Sequence, residues 1–437
     1  MCSSDLTLSV RLAIEGEPDG SRVKLRSIAP LTLAGITVSD ARNQKLLDRV
    51  TLSVAPSVDY TPARLSARLA DLSLAMTTGD SLSGEIAADV ANPGAKPSTE
   101  FRARLQAKLV TLAKPFLAFD PGVLAINLES EGRHEGDVLR VAKARAFVNR
   151  DADKLLASVE LLQALRADLK AGQVAAESNA GPTARVRAGA IPLNWAEPYV
   201  AGAKLAGEFS GAILELTVRS KEDVALRTTE PVALRGVNAS VDGKPLVEGT
   251  DVSAGFSAHL RGQKLGYELS TLEVRQGAAA LASLNAAGEV SLDAKAPAAS
   301  AKGKLEADAG ALLRQPALAG LANLARGRVA ATFDVTAGKA VSAKATVNAR
   351  GLATRTEPRE LGDIEATVTA QLKEDGSGSV SAPVTVTNAG RKSDLQVDGS
   401  FGKGADKKTL TFNGRLTSAN LVVDDLQALA ALAPAGG

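Results

Sequence analysis

The sequence predicts a mainly β protein: a long curved antiparallel sheet of repeated strands forming a groove, with a few short helices. Three observations predict it. Apolar and polar residues alternate with period two through most of the chain, turn-forming residues recur between the alternating runs, and aromatics make up only 3% of the 437 residues. Successive side chains of a strand point to opposite faces, so alternation gives each strand one apolar and one wet side. That is the pattern of an antiparallel sheet with one solvated face. With one Trp, Trp195, and three Tyr, the buried surface must come from Leu, Val and Ala, which suits thin, extended packing better than a deep centre.

The elements follow in order. Thr7 to Glu15 places Leu8, Val10, Leu12 and Ile14 on one face, and Thr7, Ser9, Arg11, Ala13 and Glu15 on the other. Phe101, Ala103, Leu105, Ala107 and Leu109 alternate with Arg102, Arg104, Gln106 and Lys108 in the same way. Asp151 to Lys170 departs from this rhythm. Leu155, Val159, Leu162, Leu165 and Leu169 recur there at helical spacing, predicting a short helix near 152–170, with two short strands as the alternative. Ile364 to Leu372, Val380 to Thr387 and Thr409 to Leu416 return to alternation. Between these runs, Glu17-Pro18-Asp19-Gly20, Asn92-Pro93-Gly94, Val241-Asp242-Gly243 and Glu374-Asp375-Gly376-Ser377-Gly378 supply the positive φ angles of tight turns. Turn spacing of about 8 to 14 residues fits hairpins and meanders and implies roughly two dozen strands. Side by side at about 4.8 Å each, these would extend on the order of 100 Å.

Short apolar stretches recur at Ala190 to Val200, Ala307 to Leu318 and Ser418 to Leu432, each associated with strand residues. Their offset of about 115 to 120 residues marks a repeat in which a short helix caps a batch of strands. The expected organisation is a β segment over 7–186, repeat units over 187–302 and 303–417, and the start of a further unit over 418–437. Residues 1–6 are set apart. Cys2-Ser3-Ser4-Asp5 followed by Leu6 matches the translation of a common sequencing-adapter tail, and is expected to be an assembly artefact. The remaining chain then holds no cysteine and begins within a strand, with its true N-terminus lost.

Composition and motifs narrow the function. The 51 basic and 49 acidic residues leave a net charge of +2 with no basic stripe, and stacking aromatics are scarce, so no nucleic-acid partner is expected. His134, expected in a polar turn over Glu131 to Gly136, and His259, in an alternating strand, have no nucleophile and orienting acid at hand. Glu131 and Glu135 fall short of a metal-ligand set, and Asp424-Asp425 read as acidic residues in a helix's first turn. Gly376 to Gly378 and Gly399 to Gly404 lack the order of a phosphate-binding loop and read as hairpin turns. The expectation is a non-enzyme without metal or cofactor. What remains is the apolar face. Either it is a core between paired sheets, or it lines an open groove for acyl chains, with Leu8, Val10, Leu12, Ile14, Phe101, Leu105 and Leu109 as lining residues.

Ile191-Pro192-Leu193-Asn194-Trp195-Ala196-Glu197-Pro198-Tyr199-Val200, leading into Leu205-Ala206-Gly207-Glu208-Phe209-Ser210-Gly211, resembles the AsmA-like group of bacterial envelope proteins. Ala311-Leu312-Leu313 through Gly327-Arg328-Val329 resembles it too, as does Asn413-Gly414-Arg415-Leu416-Thr417-Ser418-Ala419-Asn420-Leu421 leading into Asp425-Leu426-Gln427-Ala428-Leu429. The resemblance is diffuse, covers most of 60–437 and has no catalytic motif behind it. It implies a periplasmic β-groove anchored to the inner membrane of a Gram-negative bacterium by an N-terminal helix missing from this sequence. It also implies a role in outer-membrane biogenesis, carrying phospholipid or another acyl-chain lipid between the membranes. The alternative from the residues alone is a structural or adhesive surface protein built of closed β-sandwich repeats.

Overall fold

The computed structural model describes residues 7–39, 45–151, 153–178, 181–356, 358–403 and 410–432. Its 25 strands belong to one antiparallel sheet that does not close on itself, as the alternation and turn spacing lead one to expect. Contacts divide the chain into two compact units, residues 1–191 with 212–224, and residues 192–211 with 225–437.

The first unit carries β1 (Thr7–Gly16), β2 (Val23–Ser39), β3 (Lys45–Thr61), β4 (Arg64–Ala75), β5 (Ser81–Ala91) and β6 (Ser98–Leu109). After a 3-10 turn at Lys114–Phe116 come β7 (Leu124–Glu135), β8 (Val138–Arg150), β9 (Lys154–Leu161), β10 (Leu165–Asp168), β11 (Gln173–Ala176) and β12 (Ala184–Ala188). At the division lie the two-residue β13 (Ile191–Pro192), a 3-10 segment (Leu193–Tyr199) and β14 (Ala203–Ser220). Next come β15 (Asp223–Val241), β16 (Lys244–Arg261), β17 (Lys264–Gln276), β18 (Ala279–Ser291) and β19 (Ala299–Asp308). Helix α1 (Ala309–Leu312) leads to β20 (Leu324–Ala337), β21 (Val341–Thr354), β22 (Asp363–Leu372), β23 (Gly378–Asn388), β24 (Arg391–Lys403), β25 (Leu410–Thr417) and helix α2 (Val423–Ala430). Each of the three repeated apolar stretches therefore contains a helical segment. Residues 1–6, expected to be adapter-derived, lie outside the described residues, as do 433–437 of the expected further unit.

Three local expectations are corrected. The helix near 152–170 is absent; its described residues form β9 and β10. Leu155 and Val159 of that set also fit period two, together with Ala157 and Leu161. Pairing of Val159 between Ala146 of β8 and Val186 of β12 then decides in favour of strand. A sheet of neighbours outweighs a local periodicity this short. Gly399 to Lys403 belong to β24 and are not a hairpin turn; Gly404 lies outside the described residues. Gly399 faces Gly414 in the ladder, beneath the Phe412 ring. His134 is the penultimate residue of β7, opposite Thr99 and Leu139, so the turn begins after it.

The other turns follow their chemistry. Asp242 and Gly243 have φ of 50° and 74°, the pair of left-handed residues that a two-residue hairpin matching the strand twist requires. One buried carboxylate fixes the longest connection of the first unit. Asp80 accepts the backbone N–H groups of Val110, Thr111 and Leu112 at 2.6, 3.0 and 3.1 Å, and the hydroxyls of Thr78 and Thr111. Burial would raise this carboxyl. The hydroxyls of Thr111 and Thr78 and the backbone donors outweigh it and hold the group well below the usual carboxylate range.

Candidate functional site

The candidate site is a face, and the registers show how it is assembled. Residues directly opposite each other in a ladder share a face. Leu8 of β1 opposes Leu33, and the row continues through Leu52, Leu74, Leu82, Ala107, Ile126, Val148, Ala157 and Ala188 to Ala212 of β14. Every member is aliphatic. A second row joins Ile14 to Leu25, Val58, Ala67, Ala88 and Phe101. Leu105 stands between Gly84 and Leu128, and Leu109 opposes Leu124.

The structure thus brings Ile14 and Phe101 into one row and runs the Leu8 row between Leu105 and Leu109, through Ala107. Val10 and Leu12 lie where the β1–β2 register shifts, and Leu12 opposes Ser27. The four β1 residues are the most open of the seven, with Leu8 65% and Ile14 70% exposed, because among the described residues β1 pairs with β2 alone.

The second unit repeats the arrangement. Ala254, Leu272, Leu284, Leu305, Ala331, Val347, Ala366, Val384 and Leu395 form one aliphatic row from β16 to β24. Several of the aromatics, Phe101 and Phe333 among them, lie over glycines of the next strand, whereas Phe147 faces Asn127 and Ser158. A Cβ on Gly132 would sit 2.5 Å from Phe101 Cζ, and one on Gly303 would sit 2.6 Å from Phe333 Cζ. A ring can cross its neighbour only where that neighbour has no side chain. These two rings therefore fill gaps in the lining.

These faces are half-covered. Most of their side chains are neither buried nor fully exposed. The accessible surface is 26161 Å². A compact chain of 44.8 kDa would expose about 16,000 Å². The excess is what a sheet without a second layer leaves open to solvent on both of its faces.

The opposite face is built on charge, a feature that sequence reading missed. Glu85, Arg104, Glu129, Arg145, Glu160, Arg185 and Glu215 occupy successive ladder positions on seven strands, with strictly alternating sign. Arg104–Glu129, Arg145–Glu160 and Arg185–Glu215 close to 3.1, 2.9 and 2.8 Å, and Lys143 meets Glu129 at 2.7 Å. The Lys143 ammonium holds the Glu129 carboxyl below its ordinary value. An open hollow of about 510 Å³ on this side is lined in part by ladder residues, whose charges are largely satisfied by one another. The signal was available: each strand carries a charge between its aliphatic positions, and the sign changes from one strand to the next.

The remaining candidates resolve as structural groups. His259 is exposed on β16, with its ring over Gly266. Asp424 and Asp425 do lie in the first turn of α2, and Asp425 is buried, accepting the Ser393 hydroxyl at 2.6 Å. Among the described residues no group of three or more His, Cys, Asp or Glu side chains could hold a metal ion. No helix among them is long and apolar enough to cross a membrane. No protein-family model matches the chain, and no curated protein matches it.

Proposed function

We propose that this chain is a non-enzymatic envelope-biogenesis protein of the AsmA-like kind that handles phospholipid, its acyl chains lying against the aliphatic face. The observation that carries the reading is the unbroken aliphatic row from Leu8 to Ala212 on strands whose other side is charged. A half-open lining of Leu, Val, Ile and Ala offers an acyl chain dispersion and burial along its length, without a polar group that would fix its position. In this reading the protein works in the periplasm, tethered to the inner membrane, and carries lipid between the inner and outer membranes. The alternative of adhesive sandwich repeats calls for closed modules with paired sheets, and the single open sheet favours the lipid reading over it.

The test is purification of the chain from a Gram-negative host in mild detergent, followed by mass spectrometry of extracted lipid. Co-purifying phospholipid that exchanges with added lipid is the expected result. Protein that remains folded, lipid-free and unable to take up phospholipid from vesicles would refute the proposal.

A further inference from the structure

The polar face of the second unit is built unlike that of the first. In the first unit the charges close on one another; in the second, donors and acceptors of both signs stay uncommitted around a hollow. Strand residues one step from the aliphatic row point the other way. Asn285, Lys304, Thr332, Thr346 and Thr367 therefore form a polar row behind Leu284, Leu305, Ala331, Val347 and Ala366. Beside it stand Glu268, Ala287, Lys302, Asp334 and Lys344, again in register.

An open hollow of about 700 Å³ is lined by Asn285, Thr332 and Thr346 of the first row and by the four charged residues of the second. Its size is that of a small-molecule site. Among the described residues these four charged side chains make no ion pair, and the Asn285 amide and Thr332 hydroxyl make no hydrogen bond. Thr346 meets only the Thr367 hydroxyl, at 3.5 Å. Two residues further along the strands, Ser300, Thr336, Ser342, Gln371, Ser379 and Ser400 stand in register from β19 to β24. At the usual strand spacing this row is about 24 Å long. No member is charged, although a solvated face is ordinarily rich in charge. None makes a side-chain hydrogen bond among the described residues.

We infer that this face binds an uncharged glycan strand, laid across the β-strands with one sugar seated in the hollow. The inference is independent of the lipid reading, which concerns the opposite face. Lys302 and Lys344 balance Glu268 and Asp334, so the hollow favours neither an anion nor a cation. An apolar ligand would cut these charges and the Asn285 amide off from water with nothing in exchange. A sugar hydroxyl both donates and accepts, and so satisfies ammonium, carboxylate, amide and hydroxyl groups alike. An extended peptide takes its main affinity from an open strand edge. Strands β17 to β21 are paired on both sides and offer none.

The test is isothermal titration calorimetry of the full chain. The probes are N-acetylchitohexaose and cellohexaose, which are uncharged, an anionic galacturonate oligomer, and an unstructured Gly/Ser/Asn peptide. Saturable binding of an uncharged probe at or below about 1 mM is expected, with the anionic oligomer and the peptide weaker. Asn285→Leu with Thr346→Val removes hydrogen-bonding groups from the hollow and leaves the aliphatic face alone. This pair should weaken binding roughly tenfold without changing lipid uptake from vesicles. Thr336→Lys with Ser379→Lys, at two exposed positions of the uncharged row, should weaken it as well, and provides the test should the first pair fail to fold. Absence of saturable binding by both uncharged probes overturns the inference. So does binding that survives the folded variants, or a preference for the anionic oligomer or the peptide. Each of these results leaves the lipid reading standing.

Discussion

Replacement of Leu105 by Glu separates an open lining from a closed core. Leu105 is half-buried on β6, opposite Gly84 on one side and Leu128 on the other, and Leu128 is itself 42% exposed. Full burial of a leucine side chain is worth about 1.5–3 kcal/mol. Half of that, with a small loss of strand preference for Glu, predicts a destabilisation of about 1–2 kcal/mol. The carboxylate at this position can reach water, so it meets no penalty for an unpaired buried charge. Under a second layer the same substitution would cost more than about 4 kcal/mol and abolish folding. The assay is urea unfolding followed by far-ultraviolet circular dichroism, run beside lipid uptake from vesicles. A folded variant with a modest loss of stability and reduced lipid uptake is expected. A loss above about 4 kcal/mol would show that the face is covered, and the account of an open lining would fall.

Three further outcomes follow. Asp80→Ala should leave the N–H groups of Val110, Thr111 and Leu112 without an acceptor and cost about 3 kcal/mol, seen as faster amide exchange and proteolysis within 110–123. Because the Asp80 carboxyl lies below its ordinary value of 3.8, its contribution is complete above that pH and disappears only as pH falls through the lower folded value. Protection of these amides should therefore persist at pH 4, and early loss there would contradict the hydrogen-bond arrangement. Gly303→Ala places a methyl group against both the backbone oxygen of Asn285 and the Phe333 ring and should destabilise the second unit by about 1–3 kcal/mol. Phe333→Leu relieves only the ring contact, so Gly303→Ala with Phe333→Leu should recover a minor part of that loss on thermal unfolding. Glu129→Lys sets a cation among Arg104, Lys143 and Arg145; about 1–2 kcal/mol of stability should be lost at low ionic strength and less in high salt, and an effect insensitive to salt would exclude the charge ladder as its cause.

The strands were legible because alternation is a local property. Leu8 to Ile14 and Phe101 to Leu109 announce one apolar face whatever their neighbours are. The turn at Asp242-Gly243 was legible for the same reason, since only a few residue types tolerate its backbone angles. Segment 152–170 was not, because Leu155 and Val159 fit helical and strand periods alike, and only pairing with β8 and β12 separates them. The buried roles of Asp80 and Asp425 depend on donors brought from other segments, Thr111 for one and Ser393 for the other.

By itself, then, the sequence determined the strands, the two unlike faces and most of the tight turns, all of them consequences of side-chain order within a few residues. The tertiary structure decided which strands stand beside which. Register made an eleven-strand aliphatic row of separate leucines and alanines, and made a ladder of scattered glutamates and arginines. It also set Gln315 on Glu248, a contact 67 residues apart in the chain. Such pairings depend on complementary partners brought together from distant segments, and no single segment carries that information alone.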